Sequence, residues 1–124
     1  MRRSVVAIFL GVLIGFSGAN AIGRVAFSGT YTVNGNNPGV GAYKGTLTIV
    51  ARGEVYDVHW AIANVQYAGV GVVVNDTLSV AYSSSDKSWI GVMAYRQRPD
   101  GSLEGRWAVQ GRSGRPGTET AVRK

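Results

Sequence analysis

The 124-residue sequence contains no cysteine and only one histidine, His59. A chain without cysteine forms no disulfide, no thiolate metal site and no lipid-modified cysteine. One histidine cannot build a multi-histidine metal centre, and no serine lies in the strand–turn–helix setting of an activated nucleophile. Asp57 lies on the same side of an extended segment as His59, so we interpret the two as a solvated, outward-facing pair. We therefore expect no metal site.

Acidic residues are also scarce, since Asp and Glu together number 7. Their positions in the alternating pattern predict that all of them lie in turns or face outward. They are Glu54, Asp57, Asp76, Asp86, Asp100, Glu104 and Glu119. A glycosidase-type site needs two carboxylates that converge on one cleft, and the Gly-Val-Gly stretch at 39–41 precedes a strand rather than the helix of a phosphate-binding loop. We expect a protein that is not an enzyme and binds no cofactor.

Long apolar runs are absent except near the N-terminus. Arg2 and Arg3 precede an apolar stretch at 5–16, and small residues follow it up to Ala21. This layout is typical of a secretory signal peptide, and the stretch is shorter than the roughly 20 residues that a spanning helix needs. We predict a signal peptide at 1–21, export to the periplasm or the medium of a bacterial cell, and one mature domain at 22–124 without a transmembrane segment. An uncleaved anchor is the alternative.

The formal net charge is +6, and the basic excess lies towards the C-terminus. The arginines of this part are Arg96, Arg98, Arg106, Arg112 and Arg115. If the fold brings them to one rim, they would contact an anionic surface or a polyanion. Solvated turns and strand edges are the alternative interpretation. No nucleic-acid partner is expected.

No helical periodicity follows residue 21. Short runs alternate instead between apolar and polar residues at a spacing of about ten residues, with Gly, Asn, Asp, Ser or Pro between them. The predicted strands are 27–34, 42–51, 54–62, 65–74, 76–83, 88–97, 102–110 and 117–123. Short links join antiparallel neighbours, and closure of the sheet removes its edges. We predict an all-β fold, an eight-stranded antiparallel up-and-down β-barrel closed between its first and last strands.

Aromatic residues mark the predicted interior. Alternation at 56–62 predicts that Trp60 is buried and that His59 is exposed, and the same pattern predicts a buried Trp107. The 6 tyrosines and 3 tryptophans carry O–H and N–H groups that need partners when buried, and glycines on the same face leave room beside the rings. We predict a lining that meets water or a ligand, and a filled core is the alternative. The predicted pocket residues are Tyr31, Tyr43, Trp60, Tyr82, Trp89 and Trp107.

Two functional classes follow from these observations. The first is an exported binding barrel for a small, largely apolar or aromatic ligand. The second is a surface-interaction or adhesin-like protein that uses its outer face and basic C-terminal end on fibronectin, another extracellular macromolecule or a polyanion. A cavity larger than a few water molecules would favour the first class, and a filled barrel would favour the second.

Several segments resemble those of a family of small exported bacterial β-rich proteins of unknown activity. They are Gly29-Thr30-Tyr31, Asn37-Pro38, Tyr43-Lys44-Gly45-Thr46-Leu47, 56–60, Leu78-Ser79-Val80-Ala81-Tyr82 and Gly105-Arg106-Trp107. The resemblance covers nearly all of the chain after residue 21. It implies export and no catalytic motif, and some members of the family are labelled fibronectin-binding. In architecture the predicted barrel resembles avidins and lipocalins, which hold one small ligand, although lipocalins have Gly-x-Trp where this chain has Gly29-Thr30-Tyr31.

Overall fold

A computed structural model describes residues 26–124 of the protein, and the predicted signal peptide lies outside the described residues. The described chain folds into strands that are connected by turns and short loops. They are β1 (Gly29–Asn37), β2 (Gly41–Arg52), β3 (Val55–Ile62), β4 (Val65–Val74), β5 (Thr77–Ser84), β6 (Ile90–Gln97), β7 (Leu103–Val109) and β8 (Gly117–Arg123). Residues 26–124 contain no helix with the length and apolarity that crossing a membrane requires.

The eight strands form one closed barrel in which each strand pairs with the next and β1 pairs with β8. All of these pairings are antiparallel. The predicted fold class, strand number, order and closure are therefore confirmed. The short connections explain the order, because a link of a few residues can only join antiparallel neighbours.

The largest departure from the predicted bounds is in β1, which begins and ends later than the predicted 27–34. At its end, β1 extends into the link that the predicted strands left at 35–41, because Gly35 pairs with Tyr43 and Asn37 pairs with Gly41. Only 38–40 remain as a turn, which the Val40 amide closes by donating to the Asn37 carbonyl at 2.9 Å. At its start, residues 26–28 lie outside the sheet and cover one end of the barrel.

Alternation along each strand sends one set of side chains into the barrel. In β3, Val58 and Trp60 are buried and His59 between them is exposed, which agrees with the prediction for this strand. Trp107 is only half-buried, contrary to the predicted burial, because it stands where the interior opens to solvent. The buried core consists of Phe27, Tyr31, Val33, Leu47, Ile49, Val58, Trp60, Leu78, Val80, Met93, Tyr95, Leu103 and Ala121.

Each of several inward-facing rings occupies the space beside a glycine that is paired with it on the neighbouring strand. Tyr43 is paired with Gly35 and Trp107 with Gly117, and in both pairs a Cβ on the glycine would overlap the ring. The same relation joins Gly91 to Tyr82 and Gly105 to Tyr95. A ring that covers a cross-strand glycine compensates for the side chain that the glycine lacks. The recurrence of glycine on the aromatic face is therefore a packing requirement.

One end of the barrel is closed by residues 26–28, which precede β1. Phe27 is fully buried there, and the Tyr31 hydroxyl donates to its carbonyl oxygen at 2.6 Å. Arg123, at the end of β8, donates to the carbonyl oxygens of Ala26 at 2.6 Å and Ser28 at 2.8 Å. Its guanidinium also lies 5.0 Å from the centre of the Tyr31 ring. We call this the closed end.

Within 26–124, the opposite end, which we call the open end, has only connections between strands. These are the turns at 38–40 and 63–64 and the longer loops at 85–89 and 110–116. None of these segments places a side chain across the interior in the way that Phe27 does at the closed end. Residues 26–124 therefore leave the interior accessible from this side.

Candidate functional site

The open end leads into a cavity of about 250 Å³ inside the barrel. Its aromatic lining consists of Tyr43, Trp60, Tyr67, Tyr82, Trp89 and Trp107. Ile62, Met93 and Val109 add apolar surface, and Glu119 and Arg112 add charged groups. Because a water molecule takes about 30 Å³ of liquid volume, the cavity is larger than a few waters. Half of the barrel is therefore hollow, while the other half is filled by the core.

The structure places the six predicted pocket residues in two groups. Tyr43, Trp60, Tyr82, Trp89 and Trp107 line the cavity. Tyr31 does not, because it is fully buried at the closed end. Tyr67 lines the cavity although it was not among the predicted residues. Its position at the start of β4, directly after a turn of the open end, was the available signal.

Glu119 overturns the expectation that every acidic residue faces outward or lies in a turn. It lies in the middle of β8 with its side chain inside the barrel, and it is only 4% exposed. The inward positions on either side of it are Gly117 and Ala121, while Val122 is 52% exposed. The one large apolar residue of β8 thus points outward, so apolarity does not mark the inner face of this strand.

Three side chains from three other strands hold the Glu119 carboxylate. The Tyr43 hydroxyl of β2 donates to Oε1 at 2.7 Å, and the Tyr95 hydroxyl of β6 donates to Oε2. The Trp60 indole of β3 donates to the Tyr95 hydroxyl oxygen at 2.8 Å and lies 3.3 Å from Oε2. This network joins distant parts of the chain at the floor of the cavity. It also gives the polar tips of three aromatic residues their hydrogen-bond partners.

The electrostatics of this network are those of an isolated buried acid. The ion pairs found within 26–124 are Arg52–Asp57 and Arg98–Glu104, so Glu119 has no ion-pair partner in this part of the chain. Burial raises the pKa of Glu119, and the hydrogen bonds from the surrounding aromatic residues oppose this rise. A charged carboxylate is costly to bury without a counter-ion. The hydrogen bonds therefore offset only part of the cost.

The tyrosines of the cavity remain protonated donors at neutral pH. Burial, followed by the Glu119 carboxylate, raises the pKa of both Tyr43 and Tyr95 far above its ordinary value. Burial, followed by the neighbouring Tyr67, raises the pKa of Tyr82 to about 12. These hydroxyls can therefore orient a bound group but do not act as anions.

Trp107 contributes a buried polar group that is not well hydrogen-bonded. Its Nε1 atom lies near the Tyr43 hydroxyl but makes no hydrogen bond of ordinary geometry within 26–124. Its ring meets the Tyr43 ring edge to face, with centroids 6.2 Å apart. Buried polar groups are nearly always hydrogen-bonded, and exceptions call for an explanation. An acceptor in the cavity, either water or a ligand, would satisfy this indole.

The loop at 85–89 positions Trp89 at the rim. Asp86 Oδ1 accepts hydrogen bonds from the Ser84 hydroxyl at 2.7 Å and from the Ser88 amide and hydroxyl at 3.0 and 2.7 Å. These bonds, led by that from the Ser88 hydroxyl, lower the pKa of Asp86 to about 2. The Trp89 amide donates to Ser84 Oγ at 3.0 Å, and the Arg112 guanidinium lies 5.7 Å from the Trp89 ring. Trp89 and Arg112 therefore form the mouth of the cavity together.

The arginines predicted to meet an anionic surface do not gather at one rim. Arg112 and Arg115 lie in the 110–116 loop at the open end, Arg98 follows β6 at the opposite end, and Arg96 and Arg106 lie on the outer strand faces. Arg98 also pairs with Glu104 at 3.5 Å. The structure therefore does not meet the condition for a single anionic-contact surface.

The Asp57–His59 pair is likewise on the outside of β3. His59 is exposed, and Asp57 forms an ion pair with Arg52 of β2. Within 26–124, no three side chains of His, Cys, Asp or Glu lie close enough together to hold a metal ion.

An apolar groove lies on the outer face across β4 to β7. Its exposed members include Val70, Val72, Val92 and Ala108, and register pairs connect them through β5. Val92 is 59% exposed. Arg106 also lines this groove, so apolar side chains and one basic side chain share this part of the outer surface.

Comparison with known proteins bears on the fold. No protein-family model matches the sequence, and no curated protein matches it. Among the solved structures that match is one described as a "De novo design of a fluorescence-activating beta barrel". It has a TM-score of 0.63 and 20% sequence identity to this chain, and the match covers 79% of this chain and 94% of the designed chain. At this identity the similarity shows the β-barrel fold alone, and the resemblance to exported bacterial proteins stays a prediction.

Proposed function

We propose that the protein is a non-enzymatic binding protein that holds a small, largely apolar or aromatic ligand in the open half of its barrel. The observation that carries the proposal is the cavity of about 250 Å³ with its aromatic lining. An eight-stranded interior is just wide enough either to be filled by side chains or to hold one small ligand. Here the core fills only the half next to the closed end.

The lining is suited to binding because its rings are held in place before any ligand arrives. The Trp60 and Tyr82 rings lie 5.3 Å apart, and the Tyr67 and Tyr82 rings lie 6.1 Å apart. Rings in mutual contact lose little conformational freedom when a ligand binds, which lowers the cost of association. Aromatic walls also combine a large contact area with O–H and N–H groups that orient the ligand.

The fold similarity to a designed fluorescence-activating barrel supports the proposal through the architecture. Catalysis is not part of it, because Glu119 is the one carboxylate among the lining residues. Glycosidase-type acid–base chemistry uses two carboxylates. We also infer from the N-terminal sequence that the domain acts after export, in the periplasm or outside the cell.

The surface-interaction role remains the competing proposal, and the two make different demands on the molecule. The surface-interaction role requires the outer face of the barrel, where the apolar groove of β4 to β7 lies. The dispersed arginines weaken its electrostatic form. A barrel that binds no small molecule would leave this role as the better proposal.

A fluorescent probe tests the binding role directly. N-phenyl-1-naphthylamine, a neutral aromatic dye that brightens in apolar surroundings, should bind the wild-type domain at one site. Val109→Trp, which fills the cavity from β7, should abolish this binding. Val92→Trp introduces the same ring on the outer face of β6 and should leave it intact. Binding that survives Val109→Trp, or that is lost only in Val92→Trp, would contradict the proposal.

A further inference from the structure

The feature that the proposed function leaves unexplained is the buried acid on the cavity floor. An apolar ligand needs no carboxylate, and Glu119 is only 4% exposed with no cationic side chain paired to it within 26–124. Buried charges in proteins are normally paired or bound to metals. The barrel therefore carries the energetic cost of a buried acid that has hydrogen-bond donors but no positively charged partner within 26–124.

The carboxylate also retains hydrogen-bonding capacity. An ionised carboxylate has about four acceptor sites on its two oxygens. Oε2 faces two donors, Tyr95 and Trp60, whereas Oε1 receives a hydrogen bond from Tyr43 alone. Because Glu119 borders the cavity, a group that enters the cavity can complete its surroundings.

The surroundings of Glu119 favour a positive charge over other polar groups. The rings of Tyr43, Trp60 and Tyr82 border the same space. Aromatic rings attract cations through their quadrupole, most strongly where water is excluded, and cages of such rings recognise quaternary ammonium groups. A carboxylate and several aromatic rings around one cavity thus attract the same kind of atom by two different forces.

We propose that the ligand carries a cationic nitrogen, as a protonated amine or a quaternary ammonium group, on an apolar or aromatic body, and that this nitrogen contacts Glu119. The inference rests on the proposed function, since it names the class of ligand that the same cavity takes. The apolar body of the ligand occupies the space between Glu119 and the rim at Trp89.

The other charged and titratable groups around the site do not change its preference. Tyr43 of β2, Tyr82 of β5 and Tyr95 of β6 face Glu119 and stay neutral because burial raises their pKa values. Arg112, at the mouth, is the one basic side chain of the lining. It opposes a cation but stands at the rim, where solvent and salt screen its charge. An anionic ligand would instead be repelled at the cavity floor by the Glu119 carboxylate, which has no ion-pair partner within 26–124.

A matched pair of probes isolates the charge. 4-Hydroxy-N,N,N-trimethylanilinium and 4-tert-butylphenol have the same shape and differ in a nitrogen for a carbon. Calorimetry on the wild-type domain should show that the cation binds about tenfold or more tightly than its neutral isostere. In Glu119→Gln this preference should fall severalfold, to the part that the aromatic rings supply, while the affinity for 4-tert-butylphenol changes much less. Glu54→Gln removes an equal charge from an exposed turn and should keep the preference.

The outcomes separate the two proposals. Equal binding of both probes to the wild type, or a preference that is undiminished in Glu119→Gln, overturns the cation inference while the binding role stands. Failure of both probes also overturns it, and only if N-phenyl-1-naphthylamine fails as well does the proposed function fall. If Glu119→Gln does not fold, the relative affinities of the wild-type domain for the two probes decide the inference. Lowering the pH protonates Glu119 and should weaken binding of the cation but not of its isostere, and two flat profiles would overturn the inference.

Discussion

The two ends of this barrel are built from the same strands and the same alternation, yet one is sealed and the other is hollow. At the closed end, Phe27 and Tyr31 are fully buried, and the Tyr31 hydroxyl has a backbone partner. At the open end, Trp89 is 42% exposed and Trp107 Nε1 makes no hydrogen bond of ordinary geometry to any described residue. Inward aromatics therefore do not by themselves make a core or a pocket. Among residues 26–124, the two ends differ because 26–28 lie over the closed end and no comparable segment lies over the open end.

The largest expected difference between the two ends comes from removing the Phe27 side chain, which fills the closed end. Phe27→Ala should lower the free energy of unfolding by about 3–5 kcal/mol, the usual cost of deleting a buried large aromatic side chain. Trp89→Ala, at the open rim, should cost much less, because its side chain is already partly in water. Urea denaturation of both variants gives the comparison. Equal losses would show that the two ends are packed alike.

A subtler comparison removes only a hydroxyl at each end. Tyr31→Phe leaves the buried carbonyl oxygen of Phe27 without its donor, so it should cost about 1–3 kcal/mol. Tyr82→Phe changes a hydroxyl that borders the cavity, and we expect a change within about 0.5 kcal/mol. The same denaturation experiment measures both values. A larger loss at Tyr82 would mean that the open end relies on hydrogen bonds as much as the closed end does.

The sequence predicted the features that depend on period and spacing. Strand number, order and closure follow from eight alternating runs with short links. The burial of Trp60 beside an exposed His59 follows from parity, the alternation of side chains between the two faces of a strand. Parity says which face a residue occupies but not how far along the barrel axis it lies. Tyr31 and Tyr43 lie near the starts of β1 and β2, at opposite ends of the meander, but the pattern does not show that 26–28 cover the end next to Tyr31.

Glu119 shows a second limit of sequence reasoning. Its strand has small or polar residues at the inner positions and a valine at an outer one, so apolarity gives no sign of its direction. The partners that make its burial tolerable come from β2, β3 and β6, far away in sequence. An acid that is stabilised by distant tyrosines and an indole cannot be recognised before the strands are assembled.

The buried acid predicts an unusual response of stability to pH. Because burial raises the pKa of Glu119 in the folded state, folded protein holds this proton more tightly than unfolded protein does. Its contribution to stability is therefore complete below the pKa of the unfolded chain and is lost as the pH rises through the folded pKa. Relative to Glu119→Gln, the wild type should become less stable between pH 4 and pH 7. Urea denaturation at both pH values measures this difference.

The matched variant for this experiment is Glu54→Gln, which removes an exposed carboxylate near the closed end. Its stability relative to the wild type should not follow the same trend with pH. A wild type that instead gains stability over Glu119→Gln as the pH rises would show that the hydrogen bonds from Tyr43, Tyr95 and Trp60 outweigh the desolvation of the carboxylate. In that case the empty cavity would already accommodate the charge.

The smallest expected effect compares two similar turns at opposite ends. Asp86 at the open end accepts hydrogen bonds from Ser84 and Ser88, and Asp100 at the closed end accepts bonds from the Ser102 amide at 2.9 Å and hydroxyl at 2.6 Å. Replacing either with Ala frees a solvent-exposed turn and should alter global stability little. Only the first supports a residue of the cavity mouth, through the loop that positions Trp89.

Asp86→Ala should therefore weaken binding of N-phenyl-1-naphthylamine by a few-fold, because an ordered rim must be re-formed around the dye, at about 0.5–1.5 kcal/mol for each side chain immobilised. Asp100→Ala should leave the affinity unchanged. Dye titrations on the two variants measure the difference.

If both variants bind as the wild type does, the rim contributes nothing and the cavity floor and walls account for the affinity. If Asp100→Ala weakens binding as much, the two ends are coupled through the strands, and the contrast between a sealed end and a binding end is too simple.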